Sequence, residues 1–179
     1  MYVGGAGGNV ETAAVRMAAQ AGARVIAAAN PAEHERCRQD GADVTVDHAE
    51  DGLVERVIEH APDGVAVVWD CGGHLPLEVA SEIVAVGGRI LTTAAPFARV
   101  DVPMSRLYTR DVSVIGFVIS RATVSDLAAA AELINLMLSS GTLTARIADR
   151  LPLAQTAAAH ERMEAGGVRG RLIVHPAGH

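Results

Sequence analysis

The sequence contains no lysine; all fifteen basic residues are arginine. That absence excludes a P-loop lysine, a Schiff-base lysine for pyridoxal phosphate and a Tyr-x-x-x-Lys catalytic pair. Cysteine is scarce: Cys37 and Cys71 cannot build a disulfide framework or a cysteine-rich zinc site. No basic stretch exists to neutralise a phosphate backbone, and the net charge is −6, so nucleic acid is not expected as a partner. No apolar run approaches membrane-spanning length, and Met1-Tyr2-Val3-Gly4 lacks the charged and apolar regions of a leader. The expectation is a soluble cytoplasmic protein with no membrane partner. No Gly-x-Ser-x-Gly elbow is present. The histidines form no metal pattern: His48, His60, His74 and His160 are isolated, and His175 and His179 are expected in a frayed tail. What remains is an ordinary globular composition, 179 residues with half of them apolar and a fifth charged, enough for one domain with a real core.

Short apolar runs alternate with helical patterns. Tyr2-Val3 leads into Gly4-Gly5-Ala6-Gly7-Gly8. Val10, Ala13, Ala14, Met17, Ala18 and Ala21 recur at helical spacing, and Gly22 supplies the stop. Strands are predicted over 24–29, 44–46, 65–69 and 89–93, with helices over 32–40, 52–59 and 77–84 between them. The strands are apolar without alternation, which requires both faces covered: a parallel sheet with helices on each side. A strand over 112–120, a long helix over 125–138 and a final strand, helix and strand (145–150, 153–164, 171–174) complete the chain. The fold class expected is α/β, a doubly wound parallel sheet, with a dinucleotide-binding domain over 1–144 and a short C-terminal β-α-β extension over 145–179.

A glycine-rich turn between a first strand and a first helix is the anion cradle of dinucleotide-binding folds. Glycines let the backbone approach a diphosphate, and the helix N-terminus offers free N–H groups and partial positive charge. A glycine turn that serves only packing is the alternative. The residues Gly5-Ala6-Gly7-Gly8-Asn9-Val10, Ala13-Ala14-Val15, Ala21-Gly22-Ala23-Arg24-Val25-Ile26-Ala27 and Gly41-Ala42-Asp43 carry a more specific resemblance. It continues through Trp69-Asp70-Cys71-Gly72-Gly73, Val86-Gly87-Gly88-Arg89-Ile90, His160-Glu161-Arg162-Met163 and Arg169-Gly170-Arg171-Leu172-Ile173-Val174. In order and spacing the chain resembles the cofactor-binding domain and C-terminus of medium-chain dehydrogenases/reductases, in particular their zinc-independent quinone oxidoreductase-like branch. The matches spread from Val3 to Pro176.

The resemblance implies an NADP(H)-binding portion of an oxidoreductase, without zinc, that transfers hydride to a conjugated carbonyl of a small-molecule substrate. It places Ala6, Gly7, Gly8, Asn9 and Val10 around the diphosphate, Asn30 and His34 at the adenosine ribose, and Cys71 and Gly72 against the cofactor. Thr92, Thr93 and Ala94, with Phe117, Val118 and Ile119, would line the nicotinamide side. Cys71 reads as a small packed thiol rather than a nucleophile, because no cation or helix N-terminus stands beside it. No catalytic residue is assigned.

Three departures qualify the resemblance. Glu11 stands where the family has the last glycine of its fingerprint. A carboxylate about 6 Å from a phosphate charge costs roughly 2–3 kcal/mol at an effective dielectric near 20, or one to two orders of magnitude in affinity. In the first turn of a helix, the same carboxylate gains about 0.3–1 kcal/mol from the dipole. A non-catalytic dimerising or partner-binding module with a degraded cofactor site is therefore the alternative function. Secondly, the GroES-like domain that the family places first is absent. Either the chain is a fragment or a second polypeptide supplies that half, and the stub of a first strand is expected to leave its neighbours partly unpaired. Thirdly, Asn30 replaces the acidic residue that holds the ribose diol in NAD-preferring members, which favours NADP, with His34, Arg36 and Arg38 as candidate phosphate partners. The apolar 112–120 segment comes last in the expected strand order and is predicted to pair with a second copy in a homodimer; an edge covered by the preceding loop, 96–111, is the alternative.

Overall fold

The computed structural model describes residues 1–94 and 99–176. Strands β1 (Tyr2–Gly4), β2 (Ile26–Ala29), β3 (Val44–Asp47), β4 (Val65–Asp70), β5 (Val84–Thr92) and β6 (Ser113–Gly116) form one sheet in the order β3-β2-β1-β4-β5-β6. Every neighbouring pair is parallel. Helices α1 (Asn9–Gln20), α2 (His34–Gln39), α3 (Leu53–His60) and α4 (Leu77–Ile83) make the crossovers between the first five strands. α5 (Met104–Tyr108) precedes β6, and α6 (Val124–Ser139) follows it. β7 (Ile147–Pro152) and β8 (Arg171–His175), joined through α7 (Thr156–Glu164), pair in parallel as a separate two-stranded sheet. The architecture is a doubly wound Rossmann-like sheet with a small β-α-β extension.

The absence of alternation in the central strands follows from burial on both faces. Tyr2, Ile26, Ala28 and Val68 pack with Val57, Ile83 and Leu107 on one face. Val3, Ala27 and Ala29 pack with Ala14, Val15 and Cys37 on the other. Successive side chains point to opposite faces, so a strand covered on both sides reads as one apolar run. Glycines end the helices as the sequence predicts. Gly22 has φ +78°, and its N–H and that of Ala23 donate to the Ala19 and Ala18 carbonyls. This is the left-handed closure that a side chain would oppose.

The short β1 pairs with both neighbours along its whole length. Val65 and Val67 of β4, however, have no β1 residue opposite them. The predicted 112–120 strand is corrected to Ser113–Gly116. β5 ends at Thr92, whose carbonyl accepts the Phe117 N–H, so no further backbone is left for residues 118–120 to pair with. The chain turns instead into a 3-10 helix at Ile119–Arg121. β5 starts earlier than predicted, at Val84, with a register irregularity opposite Val65 and Val67 and a positive φ at Gly87. His175 is not frayed: it pairs with Pro152 inside the second sheet. His179 and Pro96 lie outside the described residues.

Burial is uneven. The described core lies mainly in residues 2–107, whereas α6 buries only Met137. Leu127, Leu133, Leu136 and Leu138 of that helix are exposed, as are Val114 and Ile115 on β6.

Candidate functional site

The switch point of the sheet lies between β1 and β4, where crossovers leave in opposite directions. Ligands of doubly wound folds bind in the crevice beyond the strand carboxyl ends there. In this chain the crevice has two lobes that share Gly5 and His48. One, about 460 Å³, is lined by Gly4, Asp70, Gly72, His74 and the start of α3. The other, about 310 Å³, is lined by Gly7, Gly8, Asn9, Asn30, Glu33 and Arg169.

The glycine turn is tight. Gly5 has φ +68°, the Gly8 N–H donates to the Gly5 carbonyl at 2.9 Å, and the Ala6 N–H donates to Ala28 at 2.8 Å. Gly8 is the N-cap of α1 and offers no side chain to the free N–H groups of the first turn. Glu11 folds back over them. Its carboxylate contacts Gly8 so closely that a methyl group there would collide with it, and Oε1 would lie 3.7 Å from one on Gly5. Burial pushes the Glu11 carboxyl above the ordinary carboxylate range, with the charge of Asp70 adding to the effect; the N–H groups of Glu11 and Val10 pull it back. The first-turn N–H groups of α1 therefore face an anion at this turn, and in the structure that anion is the chain's own Glu11 carboxylate.

Asn30 follows β2, but its side-chain Oδ1 accepts the Ala32 N–H at 3.0 Å as a local cap. His34 Nε2 lies 3.1 Å from the Ala29 carbonyl oxygen. Arg36 binds Asp40 at 3.0 Å, and Arg38 reaches Glu35 and Thr45, so both α2 arginines have partners of their own. Asp70 organises the turn after β4: its oxygens accept the N–H groups of Gly72 at 3.2 Å and Leu75 at 2.8 Å. The Cys71 thiol is pushed up to about 12, first by burial, then by the charges of Glu11 and Asp70. A thiol held protonated is a poor nucleophile. Trp69 donates its indole N–H to Thr93 Oγ1 at 3.2 Å, and Thr92 Oγ1 donates to the Ala94 carbonyl at 3.0 Å. Thr92 and Ala94 line an adjoining cavity of about 250 Å³ with Val68, Ile90 and Val114, which shares Asp70 and His74 with the first lobe. Phe117, Val118 and Ile119 are exposed beyond the end of β6. Among the described residues, no group of three His, Cys, Asp or Glu side chains could hold a metal ion, and no helix is long and apolar enough to cross a membrane.

The structure thus brings Gly7, Gly8 and Asn9 together with Asn30 at one crevice, leaves Ala6 in the core and Val10 exposed outside the crevice lining, and joins Phe117 to Thr92 on a neighbouring strand. Sequence reasoning did not assign His48, Arg146 or Arg169 to the site. The rule that ligands sit at strand carboxyl ends points to His48, which directly follows β3. No local signal marks the Glu33 partners, which lie more than a hundred residues away in sequence.

A family model described as zinc-binding dehydrogenase matches residues 10–135. None of the curated proteins matches the chain. Among solved structures, a mycobacterial quinone oxidoreductase is 27% identical with a TM-score of 0.85, covering 98% of this chain and 56% of its own. A mycobacterial protein solved in complex with NADPH is also 27% identical, with a TM-score of 0.79 and coverage of 98% and 56%. An NAD-dependent alcohol dehydrogenase is 26% identical, with a TM-score of 0.81 and coverage of 97% and 50%. The chain spans about half the length of the solved relatives it matches. The strand order, the glycine turn and a family match over most of the sequence agree: this chain belongs to the zinc-binding dehydrogenase family, the medium-chain dehydrogenase/reductase superfamily, and within it is similar to the quinone oxidoreductase-like branch.

Proposed function

We propose that the chain is the NADP(H)-binding half of an oxidoreductase similar to quinone and enone reductases. The observation that carries this reading is the glycine turn at the carboxyl end of the central strand, with the first turn of α1 facing the crevice at the switch point. When bound, the cofactor supplies a hydride for a conjugated carbonyl. The chain's own residues bind and orient. The N–H groups of the glycine turn and the first turn of α1 that are not committed within the fold take the diphosphate, the segment at Asn30 and His34 faces the adenosine ribose, and Thr92 to Ala94 with Phe117 to Ile119 shield the nicotinamide from water. A GroES-like half, on the same polypeptide or on a second one, would complete the substrate pocket. Two copies pair through the exposed Val114 and Ile115 edge of β6. The protein works in the cytoplasm.

A second reading is favoured by the seat of Glu11 on Gly8: a dimerising or partner-binding module whose cradle is filled by its own carboxylate. Titration with NADPH, followed by Trp69 quenching or by nucleotide fluorescence, separates the two. Binding at micromolar ligand supports the reductase. Silence that Glu11→Gly converts into binding supports the module, and silence in both proteins refutes a nucleotide site.

A further inference from the structure

One wall of the crevice comes from the far end of the chain. Arg146, just before β7, and Arg169, just before β8, both reach the carboxylate of Glu33. Arg146 Nη1 lies 2.8 Å from Oε2 and Arg169 Nη1 lies 3.1 Å from Oε1. Each carboxylate oxygen therefore takes one guanidinium. The Glu33 side chain is 6% exposed, against 33% for Arg146 and 49% for Arg169. What solvent and a ligand meet at this point is guanidinium rather than carboxylate, and the trio carries a net charge of about +1 at neutral pH.

The position matters. Glu33 packs on the glycine turn, where a methyl group on Gly7 would lie 2.9 Å from its Cγ. Glu33 and Arg169 line the same lobe as Asn30 and Gly8, and Arg146 lines an adjoining hollow that shares Gly7 and Asn9 with it. This is the corner between the end of β2 and the glycine turn, where the adenosine ribose of a bound dinucleotide lies in doubly wound folds. Arg36 and Arg38 turn to Asp40, Glu35 and Thr45 and line neither lobe of the crevice, and the Asn30 Oδ1 is taken by its cap.

We propose that Arg146 and Arg169 are the specificity-determining residues for the phosphate on the 2′ position of that ribose, and that Glu33 positions them. This rests on the dinucleotide reading above. A guanidinium has five donors in a planar fork; the bond to Glu33 fixes the plane and leaves further N–H groups for a phosphate dianion. A ribose diol finds no free carboxylate here, because both Glu33 oxygens are taken. The C-terminal extension thereby selects the cofactor, a task usually assigned to the segment after β2.

The test compares 2′,5′-ADP with 5′-AMP by titration calorimetry. The two probes differ only in the 2′-phosphate, so the ratio of their affinities cancels whatever the glycine turn and Glu11 contribute. The full chain is expected to bind 2′,5′-ADP at least about tenfold more tightly, the scale of one charge-assisted hydrogen bond. Arg169→Gln, a half-exposed change that leaves the core untouched, is expected to cut the ratio about fivefold or more, and Arg146→Gln with Arg169→Gln to bring it near one. Arg36→Gln with Arg38→Gln leaves the ratio unchanged. A ratio that survives in Arg169→Gln and in the double variant overturns the proposal while the dinucleotide reading stands. Equal binding of both probes by the unaltered chain does the same. If neither probe binds at millimolar concentration, the proposal and the dinucleotide reading both fall.

Discussion

Changing Glu11 to Gln is expected to tighten NADP⁺ binding and to remove a pH dependence. In the structure the carboxylate rests on Gly8, where the N–H groups of Val10 and Glu11 act on it. A diphosphate needs those same donors and has two ways to gain them. If the carboxylate stays, a phosphate charge about 5 Å away costs roughly 3 kcal/mol at an effective dielectric near 20. If it swings to solvent, the helix loses a capping interaction of about 1 kcal/mol. The second route is cheaper, so it sets the scale. Gln is isosteric but uncharged and weaker as an acceptor, so the gain is expected to be about fivefold at pH 8, with about 100-fold as the ceiling if the swing is blocked. The pH dependence has a definite sign. Burial and Asp70 raise the Glu11 carboxyl, so the folded protein binds that proton more tightly than the unfolded chain does. Ionisation of Glu11 therefore costs stability as pH rises through the folded value and costs nothing below the unfolded one. For the ligand, protonation removes the competing charge, so the gap between wild type and the Gln variant narrows as pH falls through that range, while the ligand's own 2′-phosphate titrates alike in both. NADP⁺ is used because the reduced form decomposes in acid. Trp69 quenching checked by calorimetry measures both proteins. Equal affinities and parallel pH profiles would refute the competition between carboxylate and diphosphate.

Three further outcomes are expected. Ile83, fully buried where α4 meets β5, should cost about 2–5 kcal/mol when changed to Ala, read as a lower urea midpoint at an unchanged slope; a loss under about 1 kcal/mol would contradict the packing described. With the Cys71 thiol pushed up to about 12 and Cys37 up to about 11, alkylation of both by iodoacetamide at pH 8 should run at least about a hundredfold slower than for a free cysteine. Rapid modification of either in the folded protein would show that burial is misjudged. A raised thiol also means that stability is lost as pH rises from about 8.5 towards the folded values. Light scattering should find a dimer that Ile115→Arg, on the exposed edge strand, converts to monomer; a wild-type monomer at high concentration would rule the edge out as an interface.

The uncovered surface bears on what completes the protein. Leu127, Leu133, Leu136 and Leu138 of α6 stay exposed, although the helix begins with a full capping box between Thr123 and Asp126. Local signals suffice to start and stop this helix, but its apolar residues lack a layer to pack on. The solved relatives are about twice as long as this chain.

The alternation of apolar runs and helical patterns, with glycines at the stops, was enough to order the elements and to place the sheet between two layers of helices. Those features are local: they depend on side-chain period and on which residues tolerate a left-handed backbone. The glycine turn was legible for the same reason, as was the acidic residue out of place beside it. The extent of β6 was not, because a strand persists only while its neighbour offers backbone to pair with, and β5 runs out at Thr92. Nor was the choice among arginines. Arg36 and Arg38 stand near the expected ribose in sequence yet find Asp40, Glu35 and Thr45 first, while Arg146 and Arg169 converge on Glu33 from over a hundred residues away. Composition and spacing by themselves determined the scaffold and its glycine turn; only the folded chain decided which charges lie beside that turn, because charge pairing is settled by distance in space and not by distance along the sequence.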